Sequence, residues 1–187
     1  MKKPKKEEKP LSGAQDAYEW LQILIVALVT IILVFTFVGR ITPVVGESML
    51  PTLHEGDVML IRDIGYTDPQ PGDIVVLTKE FDAARGPIVK RIIAVEGQTV
   101  DIDYQTGTVY VDGEALDEPY LNEPMEEPWY EDLTSVTVPE GSVFVMGDNR
   151  NHSNDSRDVT LGTVDTRYLL GKAEFLCFPF SDFGRIG

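Results

Sequence analysis

The 187-residue sequence predicts a mainly β body preceded by one N-terminal transmembrane helix. Three observations predict this. Residues 20–38 form an uncharged run of nineteen. Short runs rich in β-branched residues follow, spaced by turn residues. No window beyond residue 40 has the 3.6-residue apolar period of a long amphipathic helix. Composition removes other classes. With 43% hydrophobic and 25% charged residues the chain is too apolar for disorder. The single cysteine, Cys177, excludes an internal disulfide and a Cys-rich zinc site. His54 and His152 are the whole supply for histidine chemistry. The formal charge of −15 repels phosphate backbones, so nucleic acid is not an expected partner.

The apolar run comes first. Nineteen helical residues at ~1.5 Å each reach ~28 Å, close to the ~30 Å hydrocarbon core of a bilayer. Trp20 stands at one edge, where an amphipathic ring favours the interface, and Gly39-Arg40 closes the other. Residues 1–19 carry five lysines (Lys2, Lys3, Lys5, Lys6, Lys9) against four acids, whereas residues 40–187 carry 11 basic and 27 acidic residues. By the positive-inside rule, residues 1–19 are expected in the cytoplasm, 20–39 in the membrane and 40–187 outside it. A cleavable signal peptide is the competing reading. Its apolar core usually has about 7–15 residues and ends in small residues, and Phe37-Val38-Gly39 does not fit that pattern. A single-pass, uncleaved anchor in the cell membrane is the expectation, with the lipid bilayer as a partner.

Strands are expected at residues 57–64 (DVMLIRDI), 73–77 (DIVVL), 88–95 (IVKRIIAV), 99–103, 108–111 and 142–146. Pro71-Gly72-Asp73, Thr106-Gly107 and Asp112-Gly113 supply turns between them, and 99–111 reads as a hairpin. Residues 163–178 fit either a strand or a short helix. Residues 112–132 hold nine acids and three prolines, which suits an exposed loop or a small insertion.

Three patches depart from an ordinary β domain. In Gly46-Glu47-Ser48-Met49-Leu50-Pro51-Thr52-Leu53 a hydroxyl follows a glycine that permits close backbone approach and precedes a stiffening proline. Such a turn can present a nucleophile beside free backbone N–H groups, and it also fits a plain turn serine. In the second patch, period two puts Ile88, Lys90, Ile92 and Ala94 on one face. A lysine among apolar neighbours loses hydration, which makes its neutral amine accessible. A solvated face with Lys90 snorkelling outward fits the same pattern. The third patch, residues 147–157 (GDNRNHSNDSR), packs donors and acceptors of both charge signs behind an apolar strand. It suits either a buried bracing network or a solvated loop.

Together the three patches resemble the motifs of type I signal peptidases, the membrane-anchored serine proteases that remove signal peptides from exported proteins. G-E-S-M-L-P-T-L resembles the nucleophile box, P-G-D-I-V-V the strand box, V-K-R-I-I-A the lysine box and G-D-N-R-N-H-S-N-D-S-R the polar box. G-K-A-E-F at residues 171–175 also fits. The resemblance implies an antiparallel-sheet catalytic domain with a second domain inserted in it, small here and placed at about 99–138. It implies Ser48 as nucleophile, Lys90 as general base and Ser153 as the serine that orients the lysine. It also implies Asp155 and Arg157 as an ion pair supporting the site. The implied partners are signal peptides of exported preproteins, recognised through small side chains before the cut and pairing with an enzyme edge strand. No cofactor and no metal is implied.

Three positions depart from the family pattern. Gly46 stands where some members have a serine that completes the oxyanion hole. Ile88 replaces the aromatic often found two residues before the lysine. Ala94-Val95-Glu96-Gly97-Gln98 replaces the usual G-x-P-G-D turn.

Other functions fit less of the chain. Self-cleaving Ser/Lys repressors carry a DNA-binding domain in place of an anchor, and His54 lies too close in sequence to Ser48 and matches no histidine-protease motif. A catalytically silent, membrane-tethered β domain that binds exported peptides is the alternative from another class. Two expectations concern the neighbours of Lys90. The fourteen acids within residues 92–149 should lie away from it or face solvent, and Arg91→Lys should retain substantial activity.

Overall fold

The computed structural model describes residues 13–37, 39–79, 86–126 and 133–186. It divides into two compact units, Met1–Val38 and Gly39–Gly187. The lysines at 2–9 lie outside the described residues. In the first unit, α1 (Gly13–Phe37) runs 25 residues, beginning seven residues before the uncharged run. Its stretch Gln15–Leu33 is long and apolar enough to cross a membrane. The Thr30 hydroxyl donates to the Val26 carbonyl at 2.8 Å, one turn back, so the polar group is satisfied within the helix.

Among its described residues the second unit has twelve strands: β1 (Arg40–Pro43), β2 (Val58–Arg62), β3 (Ile74–Leu77), β4 (Ile88–Val95), β5 (Thr99–Asp103), β6 (Thr108–Val111), β7 (Glu114–Ala115), β8 (Ser135–Thr137), β9 (Ser142–Met146), β10 (Val164–Asp165), β11 (Leu169–Phe178) and β12 (Gly184–Arg185). All pairings are antiparallel. The large sheet runs β1-β2-β11-β3-β4-β9-β10, with β12 on β11, and the small sheet runs β7-β6-β5-β8. The mainly β, antiparallel class expected from the sequence is what the molecule has.

Burial follows position in the sheets. β2 alternates, with Met59 and Ile61 inward, whereas β3, flanked on both sides and covered on both faces, is buried at every residue. The ambiguous stretch 163–178 resolves into the two-residue β10, a 3₁₀ turn at Thr166–Tyr168 and the ten-residue β11, held between β2 and β3. β4 does not keep strict period two. Its register with β9 shifts between Ile92 and Ala94, so Ile92 packs with Val75, Val143 and Val145 while Ala94 packs with Phe144 and Met146. Ala94 therefore leaves the face it was expected to share with Ile88 and Ile92.

Most residues of 112–126 are exposed, as an exposed loop or a small insertion would have them, and residues 127–132 lie outside the described residues. Met125 is buried between the sheets with Val100, Ile102 and Phe144. Glu118 and Tyr120 reach into the site described next.

Candidate active site

The turn after β1 presents Ser48. Gly46 has φ +85°, a backbone region open to glycine at little cost, and no atom crowds the place of a side chain there. Conformation, not close approach, thus explains that glycine. Met49 and Leu53 anchor the turn from below, packed with Val44, Met59 and Ile61. Burying two such side chains stabilises the turn by roughly 2 kcal/mol each. Met49, 1% exposed, is therefore a packing residue.

β4 delivers Lys90, which is 2% exposed and paired in register with Val75 of β3. Lys90 Nζ donates to Ser48 Oγ at 2.6 Å. Burial pushes the amine down to about 8 against an ordinary value of 10.5, with Asp155 and Asp148 pulling it back up and Arg157 pushing it further down. Asp148 belongs to the stretch 92–149, so the expectation that its acids stay clear of Lys90 fails at that residue. The chain doubles back after β9 and brings Asp148 towards the base.

The polar segment 147–157 is a bracing network. Ser153 Oγ donates to Asp155 Oδ2 at 2.6 Å, and the Gly147 N–H donates to the same oxygen at 3.0 Å. Arg157 clamps Asp155 through Nε at 2.8 Å and a second guanidinium nitrogen at 2.9 Å. Burial of the Asp155 carboxyl works against its charge, but Arg157 and the bonds from Ser153 and Gly147 hold it below the usual carboxylate range. Both members of this pair are buried.

Neighbours that were given no individual role from the sequence complete the frame. The Asn149 N–H donates to the Ser48 carbonyl at 3.0 Å, and the Asn149 side chain donates to the Glu47 carbonyl at 3.1 Å. A side chain on Gly147 would collide with the Ser48 carbonyl and the Ser153 hydroxyl, so only glycine fits between them. Arg91 holds Asp148 by two bonds, at 2.9 and 2.7 Å, and donates to the Gly72 carbonyl at 3.0 Å. Its guanidinium lies over the Tyr120 ring, 4.0 Å from the centroid. Thr52, on the Ser48 turn, donates to Asp148 as well. A lysine could supply neither the fork nor the stack at position 91, so the expected tolerance of Arg91→Lys does not survive these contacts.

A desolvated amine beside a hydroxyl, on a turn clamped by backbone bonds, can abstract a proton and form an acyl-enzyme. The family model for "Signal peptidase, peptidase S26" matches residues 17–178. The chain belongs to this signal peptidase family. Peptidase S26 is a family of serine endopeptidases. Among curated relatives, a probable signal peptidase I-1 of Synechocystis is 40% identical over 178 residues, covering 90% of this chain and 86% of that protein. Signal peptidase I of Bacillus licheniformis is 36% identical over 184 residues, covering 94% and 96%. Signal peptidase IB of Staphylococcus aureus is 34% identical over 186 residues, covering 90% and 93%. A crystal structure of a signal peptidase I from Enterococcus faecalis V583 matches with 33% identity and a TM-score of 0.46, over 57% of this chain and 97% of that one.

Proposed function

We propose that this chain removes N-terminal signal peptides from exported preproteins, with Ser48 as the nucleophile and Lys90 as the general base. Family membership and the relatives named for that activity support the substrate class. The observation that carries the residue roles is the 2.6 Å separation of Ser48 Oγ from an amine depressed to about 8 by burial. Near that pH a large share of Lys90 is neutral. In that form the pair reverses its bond, and the hydroxyl donates to the amine.

Ser48 attacks the scissile carbonyl as Lys90 takes its proton. The developing oxyanion is stabilised by the Ser48 backbone N–H. Lys90 then returns the proton to the leaving amine, and water activated by the same lysine hydrolyses the acyl-enzyme. Every proton is carried by Lys90, so the reading needs no metal and no cofactor. Ser153, which the resemblance implied would orient Lys90, hydrogen-bonds the Asp155 carboxylate, while the bond from Lys90 goes to Ser48, and Arg157 keeps that carboxylate charged and in place. Residues 99–138, which carry the strands of the small sheet, form the inserted subdomain. α1 anchors the enzyme in the cell membrane with its N-terminus in the cytoplasm, leaving 40–187 on the side where preproteins emerge.

A silent peptide-binding domain would gain nothing from burying a lysine against a hydroxyl, since desolvation costs stability. The test is cleavage of a signal-peptide substrate by the full chain in detergent. Ser48→Ala and Lys90→Arg should each lower kcat by at least about a thousandfold, because a guanidinium stays protonated and cannot accept the proton. Substantial cleavage by folded Ser48→Ala would overturn the nucleophile, and by Lys90→Arg the base.

A further inference from the structure

The segment 116–126, between β7 and β8, lies across the polar segment as a strap. Asn151 receives the Glu126 N–H at 2.9 Å and donates to the Glu123 carboxylate at 2.9 Å and the Pro124 carbonyl at 3.1 Å. Arg157 contacts the Met125 sulfur at 3.4 Å. Two strap residues reach further. Glu118 binds both terminal nitrogens of Arg150, one of them at 3.0 Å, with the Glu118 side chain 8% exposed and that of Arg150 fully buried. Tyr120 donates its hydroxyl to Glu118 at 2.9 Å and lays its ring under Arg91.

We propose that Glu118 and Tyr120 are positioning residues for the Ser48–Lys90 pair, an inference that rests on the dyad reading above. They act through two short routes. Arg150, pinned by Glu118, donates through Nε to the Gly147 carbonyl at 3.1 Å. Gly147 is the residue wedged against the Ser48 carbonyl and the Ser153 hydroxyl, so the Glu118–Arg150 pair fixes the surface on which the nucleophile turn rests. Tyr120 covers Arg91, the residue after Lys90 on β4, and Arg91 in turn holds Asp148, which receives Thr52 from the Ser48 turn. One route therefore ends at the backbone of the nucleophile and the other beside the base. Both start from two residues of the strap, which touch neither Ser48 nor Lys90 directly. A displacement of about 1 Å between reacting groups is enough to lose orders of magnitude in rate.

Positioning and mere support differ in what they change. If the strap only helps to hold the small sheet in place, its variants lose thermal stability and work normally while folded. If it sets the dyad, folded variants turn over slowly and bind substrate as before. The experiment uses the full chain in detergent and a signal-peptide substrate. Assays are run at a temperature where near-ultraviolet circular dichroism shows each protein folded. Glu118→Gln and Tyr120→Leu should each lower kcat tenfold or more with KM within twofold. Tyr120→Phe, which keeps the ring under Arg91, should recover at least half of the kcat lost in Tyr120→Leu. Unchanged kcat alongside a lowered melting temperature would overturn the proposal. So would a raised KM at unchanged kcat, which would place the strap in substrate binding. Should Glu118→Gln not fold, the Tyr120 pair decides alone. Ser48→Ala is measured in parallel. If it retains cleavage the dyad reading has failed, and if it is inactive while the strap variants are normal only this inference has failed.

Discussion

Lys90 is kept where its charge is unwelcome. The difference between 10.5 and about 8 corresponds to about 3 kcal/mol by which the folded surroundings, burial foremost, disfavour the ammonium. Between those values the unfolded chain holds more protons than the folded one, so this cost is present in full below pH 8 and disappears as pH rises towards 10.5. Lys90→Met fills the same space without a charge. Denaturant unfolding in detergent should find it more stable than the parent by up to about 3 kcal/mol at pH 6, with the gain shrinking between pH 8 and 10.5. A variant less stable at pH 6 would mean that the lysine is held by attraction to Asp155 and Asp148, not tolerated in spite of burial. Arg157, bonded to Asp155, counters that attraction through its own positive charge.

The strands show where the sequence was readable. β5, β6 and β9 have the expected bounds because short β-branched runs there end at turn residues, Thr106-Gly107 and Asp112-Gly113 among them. β8 was missed although Val136 and Val138 alternate with polar residues, and β1 was missed because four residues ending in proline carry too little pattern. The bulge in β4 leaves no local mark in IVKRIIAV, since every residue at the shift is apolar. Within the site, Ser48, Lys90 and the polar segment were legible through residue type and resemblance, and the structure brings them together. Glu118 and Tyr120 had no local signal. Their partners Arg150 and Arg91 lie 32 and 29 positions away, and a Glu-Pro-Tyr sequence within an acidic run looks solvated until the chain folds back. Neighbouring β4 side chains alternate in role, with Lys90 directed at Ser48 and Arg91 at Asp148 and Tyr120. Arg91→Lys removes the fork, the Gly72 bond and the ring stack together. A loss of about 2 kcal/mol in unfolding free energy and a marked fall in activity are expected. Parent-like stability and rate would show that the β4 frame does not depend on this arginine.

For the molecule as a whole, the charge distribution and the helix support the proposed topology. The lysines at 2–9 favour the cytoplasm, and the catalytic body carries the acids. Protease added to intact spheroplasts should digest residues 40–187 and spare the N-terminal tail, whereas digestion of the tail alone would reverse the orientation. The body's acidity is also arranged around the mechanism. Among the described residues, most acids of 92–149 sit on the small sheet, its turns and the strap, and Asp148 and Asp155 act on Lys90 by their charge, with Arg157 opposing them. A desolvated, neutral Lys90 acting as the base must show in the pH dependence of kcat/KM, because that profile reports the free enzyme's essential base. Measured on the full chain in detergent from pH 5.5 to 10.5, kcat/KM should rise with pH and reach half its plateau near pH 8. A half-rise near the ~6.5 of an ordinary histidine, or near the ~10.4 of an exposed lysine, would contradict it.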